Sequence, residues 1–156
     1  MTATTDSTQT TDRIEKQFHL SARRSRVWRA LSDAGEFGTW FGVALDGPFT
    51  PGATVRGRLT MKGYEHVTLE MVVERVEPEG YFSYRWHPAA IDPKVDYSVE
   101  PMTLVEFRLE ESGGGTTLTI IESGFDRLPA SRRAEAFRMN ESGWASQAKK
   151  LVAYVD

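Results

Sequence analysis

Apolar and polar residues alternate along most of this chain, and the period of that alternation divides it into elements. Ile14, Lys16, Phe18 and Leu20 alternate with Glu15, Gln17 and His19, which predicts a half-buried strand over 13–20. Ser21 then stands where a helix N-cap belongs, because its hydroxyl can accept a bond from a free backbone N–H. Val27, Trp28, Leu31 and Ala34 mark one face of a short helix, with Arg23, Arg24, Arg26 and Arg29 mostly on the solvated side. Gly35 and Gly38 bracket a second short turn or helix that brings Phe37, Trp40 and Phe41 together. The string LDGPFTPG reads as a turn cluster.

Period-two alternation then predicts strands over 53–61, 66–76, 81–87, 103–111 and 116–123. Their inward lists are Val55, Gly57, Leu59 and Met61; Val67, Leu69, Met71 and Val73; Phe82, Tyr84 and Trp86; Val105, Phe107 and Leu109; and Leu118 and Ile120. Between the third and fourth of these lies 88–101. Pro88, Pro93 and Pro101 exclude it from a central strand. Its Ile91, Val95, Tyr97 and Val99 are ill suited to a freely solvated loop, so it is expected over a cavity mouth or in a dimer contact. After Pro129, placed in a first helical turn, Phe137, Trp144, Ala148, Leu151 and Val155 fall on one face of a long helix.

Strands joined by short turns pair antiparallel, and a sheet with one apolar face needs cover. Only the C-terminal helix is long enough to provide it. The expected fold is α+β: a curved, six-stranded antiparallel sheet wrapped around that helix, with two short helices after the first strand. Residues 13–156 form the one domain, and 1–12, half of them threonine, form a disordered tail. Gly143 sits beside Trp144 in the long helix, where glycine costs about 1 kcal/mol relative to alanine. Tight helix–sheet packing and room for a ligand are both open readings of it.

Composition narrows the function. The chain has 156 residues, 40% of them apolar and 26% charged, which excludes a disordered protein. It contains no cysteine, so disulfides, iron–sulfur clusters, thiol nucleophiles and cysteine-based zinc sites are out. A net charge of −3 argues against nucleic acid as a partner. No apolar run reaches the ~20 residues that span a bilayer, and no signal-peptide pattern opens the chain, so a cytoplasmic location is expected.

Candidate chemistry is sparse. His19, His66 and His87 are scattered, and no HExxH, GxSxG, Walker or dinucleotide motif occurs. His66 with Glu65 and Glu70 is a conceivable metal cluster, but alternation points Glu70 away from Val67 and Leu69. No metal and no cofactor are expected. Aromatic residues gather on the inward faces, as they do where a small-molecule pocket is built and also where a core is simply packed. Counting by twos from Leu118 and Ile120 places Glu122 on the same inward face, although the strand ends nearby and Ile121 would then point outward. A carboxylate there would orient a ligand or serve as a general base, and Glu122→Gln is expected to weaken that role while sparing the fold. The candidate ligand contacts are Trp40, Phe41, Met71, Tyr84, Trp86, Phe107, Glu122 and Trp144; Glu122, His87 and Tyr84 are the groups available for acid–base chemistry.

Four strings make the chain resemble a known family: LSARRSRVWRALSDAGEFGTWF, VERVEPEGYFSYRW, TLVEFRLEESGGGTTLTIIESGF and NESGWASQAKKLVAYV. Their order and spacing are similar to the START-like, or SRPBCC, superfamily, and within it to homologues of the activator of the heat-shock protein 90 ATPase. The resemblance implies a helix-grip fold with a deep cavity between sheet and helix. It implies a small hydrophobic ligand, and the leading expectation is a binding protein rather than an enzyme. Cyclase, dehydratase or hydrolase activity in the same cavity is an alternative, as is a chaperone-interacting module. The family name also implies a chaperone-activating role, which in the eukaryotic protein draws on a separate N-terminal domain; only the threonine-rich segment is expected before this fold. A homodimer is compatible with this reading, and insertion into a membrane is not expected.

Overall fold

The computed structural model describes residues 12–156; the expected tail therefore lies almost wholly outside the described residues. One antiparallel sheet is built from β1 (Arg13–Leu20), β2 (Val43–Leu45), β3 (Thr54–Leu59), β4 (Thr68–Glu77), β5 (Tyr81–Trp86), β6 (Thr103–Ser112) and β7 (Gly115–Ser123), in the order β1-β7-β6-β5-β4-β3-β2. Helices α1 (Arg24–Ser32) and α2 (Ala34–Phe41) follow β1, and α3 (Ala130–Val155) closes the fold. This is the expected helix-grip arrangement with seven strands rather than six. The extra strand, β2, falls at the end of the aromatic cluster and the start of the segment read as a turn. Three residues are too few to show a period. β2 exists because Gly57 of β3 lets it approach: a Cβ at Gly57 would stand 2.4 Å from the Ala44 carbonyl oxygen. Gly42, at φ 96°, ends α2 in the left-handed conformation and turns the chain directly into β2.

Two cap assignments also change. The cap position of α1 is Arg23 without a side-chain hydrogen bond, not Ser21, because Ser21 and Ala22 are used in leaving β1. Pro129 is the cap residue of α3 rather than part of its first turn. Asp33 caps α2, its carboxylate accepting from the Glu36 N–H at 2.9 Å. The arginine face of α1 is partly engaged: Arg26 and Arg29 both bind Glu36, at 2.7 and 2.9 Å.

The core lies between the inner sheet face, α3, and the α1–α2 pair. Val27, Ala30 and Leu31 of α1, Phe37, Trp40 and Phe41 of α2, and Trp144, Leu151 and Val155 of α3 are buried in it. A transverse row of the sheet runs Ile14, Glu122, Val105, Tyr84, Val73 by strand register. Four members are apolar or aromatic. The fifth is a carboxylate, fully buried. Ile121 is buried too, on the opposite face and outside the main cluster, so β7 keeps its alternation to the end and no local twist exchanges the two residues.

Candidate functional site

Glu122 is held by five hydrogen bonds from four donors. Trp144 Nε1 donates to Oε1 at 2.8 Å, and Trp86 Nε1 and Thr103 Oγ1 donate to Oε2 at 2.9 and 2.6 Å. Asn140 Nδ2 reaches both oxygens, at 2.9 and 3.0 Å. Strand geometry explains the convergence. β7 carries Glu122 inward, β6 begins at Thr103, β5 ends at Trp86, and α3 presents Asn140 and Trp144 four residues apart on one face. Indole N–H groups only donate, so the donor set is matched to a carboxylate, which only accepts. None of the donors is a cation. Burial pushes the Glu122 pKa above the usual glutamate range, and the bonds from Thr103, Trp86, Trp144 and Asn140 pull it back only in part. Tyr84 stands nearby in the same row, with its hydroxyl buried and unpartnered; desolvation, then the charge of Glu122, hold its pKa well above that of a free phenol.

Over this carboxylate the rings of Trp86 and Trp144 stack, with centroids 5.7 Å apart and planes at 24°. Phe41 closes on both, 6.0 Å from Trp86 and 6.2 Å from Trp144. Two adjoining lobes of open space, each about 120 Å³, share Phe41, Trp86, Asn140 and Gln147 as walls. The first lobe is completed by Gly143 and Trp144. The second runs past Leu59, Met61, Val67 and Leu69 to His87 and Ala89–Ile91 at the start of loop 88–101. A Cβ at Gly143 would meet nothing within 4 Å, so this glycine stands beside open space and not against the sheet.

The sequence candidates divide between the groove and the layer behind it. Phe41, Trp86 and Trp144 line the groove. Trp40, Met71, Tyr84, Phe107 and Glu122 lie outside its walls in the packed interior. Trp40 donates its indole N–H to the Ala30 carbonyl at 2.8 Å, which joins α2 to α1. Phe107 packs edge-on against Trp144 at 5.7 Å, and Tyr84 against Trp86 at 5.3 Å. At the junction of these rings the aromatics pack on one another, and the two lobes lie beside Phe41 and Trp86. Asn140 and Gln147 are the site residues that pattern reading missed. Their only sequence signal is their spacing, three and four residues around Gly143–Trp144, which puts them on the same face. His66, Glu65 and Glu70 do not form a cluster: His66 Nε2 meets the Ile91 carbonyl, Glu65 accepts from Gly63 N–H, and Glu70 pairs with Arg56.

Loop 88–101 borders the second lobe and is tied to α3 by one side chain. Arg132 binds Glu100 at 2.8 Å, donates to the Pro88 carbonyl at 2.9 Å, and lies 4.7 Å from the centre of the Tyr97 ring. His87, where the loop leaves β5, has its pKa lowered, chiefly by desolvation.

This arrangement can be set beside known proteins. The family model for activator of Hsp90 ATPase homolog 1-like proteins matches residues 21–156. The chain belongs to that family. Its solved structural neighbours include DynU16, a protein of the dynemicin biosynthetic locus, at 26% identity and a TM-score of 0.70 over 92% of this chain. The chain spans only 47% of DynU16. A Mesorhizobium loti protein, MLL2253, is 24% identical with a TM-score of 0.73, covering 92% of this chain and 96% of that one. The Aha1 protein of Colwellia psychrerythraea, solved as a dimer, is 15% identical with a TM-score of 0.70, covering 92% and 95%. No curated protein matches the chain.

Proposed function

We propose that this protein binds a small, largely hydrophobic molecule in the groove of Phe41, Trp86 and Trp144, as a carrier or sensor and without turning it over. The observation that carries this reading is Gly143. It leaves the long helix open where it passes the tryptophan pair, so apolar ring surface borders open volume instead of being covered by a side chain. The hydrophobic ligands implied by the superfamily resemblance point the same way. Catalysis at Glu122 is less well supported, because each of its oxygens already accepts at least two hydrogen bonds and a general base needs a lone pair within reach of substrate. No described helix is long and apolar enough to cross a membrane, and the reading takes the protein to act in the cytoplasm.

The test is a titration with neutral apolar fluorophores such as prodan, following tryptophan emission and energy transfer. Saturable quenching that is lost in Gly143→Leu, where the new side chain fills the first lobe, supports the reading. Absence of saturable binding in the natural protein overturns it. A second reading concerns loop 88–101 as a contact between two copies. Val99 is 80% exposed there, and the Colwellia relative was solved as a dimer. Sedimentation of Val99→Asp against the natural protein decides it: only a dimer that the change dissociates fits.

A further inference from the structure

Two side-chain amides set the polarity of the groove. Asn140 and Gln147 line both lobes, and each offers either a carbonyl oxygen or an NH2 to whatever enters. Their orientations are fixed by what they touch. Asn140 Nδ2 faces the Glu122 carboxylate, an acceptor, so its Oδ1 is the end left over, with no hydrogen bond from the described residues. Gln147 Nε2 donates to the Phe41 carbonyl at 3.2 Å, again an acceptor, and Gln147 Oε1 is buried without a partner. Turning either amide round would set oxygen against oxygen.

The rest of the lining agrees. No lysine or arginine is among the residues of either lobe. Lys150 is bound to the same Phe41 carbonyl from outside the lining, at 3.0 Å. Glu122 sits one side chain behind Trp86, Trp144 and Asn140, buried with no cation among its hydrogen-bond partners. The rings of Phe41, Trp86 and Trp144 border the open space, and aromatic rings attract cations over their faces. The groove therefore holds acceptors and aromatic surface, with the Glu122 carboxylate behind one wall and the Lys150 ammonium held on the Phe41 carbonyl at its edge.

Resting on the reading that this groove takes a small ligand, we infer that the ligand is a protonated amine on an apolar body, its N–H groups donating to Gln147 Oε1 and Asn140 Oδ1 and its charge facing Glu122. The amine satisfies the oxygen of Gln147, which stands buried and unbonded without a ligand and stays so beside a purely apolar one.

Calorimetric titration with hexylammonium, hexan-1-ol and hexanoate tests this at about 0.15 M salt, where a Debye length of ~8 Å screens the net charge of the molecule. Hexylammonium is expected to bind about tenfold or more tightly than either of the others. Equal or tighter binding of the alcohol or the carboxylate overturns the inference. If none of the three binds while prodan still saturates, the amine is wrong and the hydrophobic groove stands; if prodan fails as well, both fall. Gln147→Leu removes the orphaned acceptor at similar bulk. It should cut the preference for hexylammonium over hexan-1-ol by about fivefold or more. An unchanged preference for hexylammonium over hexan-1-ol in that variant, with the circular dichroism of the natural protein, overturns the inference. Should the variant not fold, the three-ligand series on the natural protein decides alone.

Discussion

Five hydrogen bonds reach Glu122, and none of their donors carries a charge. That arrangement reverses an expectation about substitution. Glutamine in place of Glu122 would keep one acceptor oxygen but turn an NH2 toward the Trp86, Trp144 or Asn140 donors. We predict that Glu122→Gln loses about 2–3 kcal/mol of stability in urea unfolding, the cost of donors left unbonded in the interior. The sign of the pH dependence follows from the raised pKa. The folded chain holds the Glu122 proton more tightly than the unfolded chain, whose carboxylates titrate near 4.3. Its contribution is full below that value and is lost as pH rises through the folded midpoint. Carbon-13 NMR of the side-chain carboxyl should give a midpoint above the ordinary glutamate range, and Glu122→Gln should flatten the fall in stability across that window. A midpoint at or below the ordinary value would contradict this account.

At the scale of elements, α3 combines two demands. It must cover the sheet, and between Asn140 and Gln147 it must leave space. Gly143 meets the second demand at a cost in helix stability. Gly143→Ala should therefore raise the unfolding free energy by about 1 kcal/mol, since the added methyl meets nothing within 4 Å, and should weaken prodan binding because that methyl enters the groove. A variant that is more stable and binds equally well would remove Gly143 from the site. Arg132 ties α3 to loop 88–101 through Glu100, Pro88 and Tyr97, with both charged side chains largely buried. Arg132→Ala should release the loop, seen as faster amide exchange across 88–101 while exchange in β6 and β7 is unchanged. The cost is about 1.5–3 kcal/mol for charge-assisted bonds of this kind.

For the whole molecule, groove and core are continuous, so occupancy should be felt globally. A ligand present at a hundredfold excess over its Kd is expected to add about 2.7 kcal/mol to the unfolding free energy. Thermal unfolding with and without ligand checks this, and a melting temperature indifferent to a ligand that quenches tryptophan would place its site outside the folded core.

The local pattern of residues determined the strands, the long helix and the inward face of each. These rest on periods of two and 3.6 that each segment carries by itself, so β1 and β5–β7 were legible to within a residue or two at their ends. The inward placement of Glu122 was legible for the same reason. Tertiary structure decided what no single segment contains. β2 is a strand only because Gly57 lets its neighbour come close. Trp40 and Phe107 are core, whereas Phe41 and Trp86 are wall, according to which rings α2 and α3 press against them. The polarity of the groove depends on amide orientations set by residues more than 15 positions away in Asn140 and more than 100 in Gln147. Such long-range contacts leave no periodic trace in a sequence, because the chain meets them only after its elements have packed.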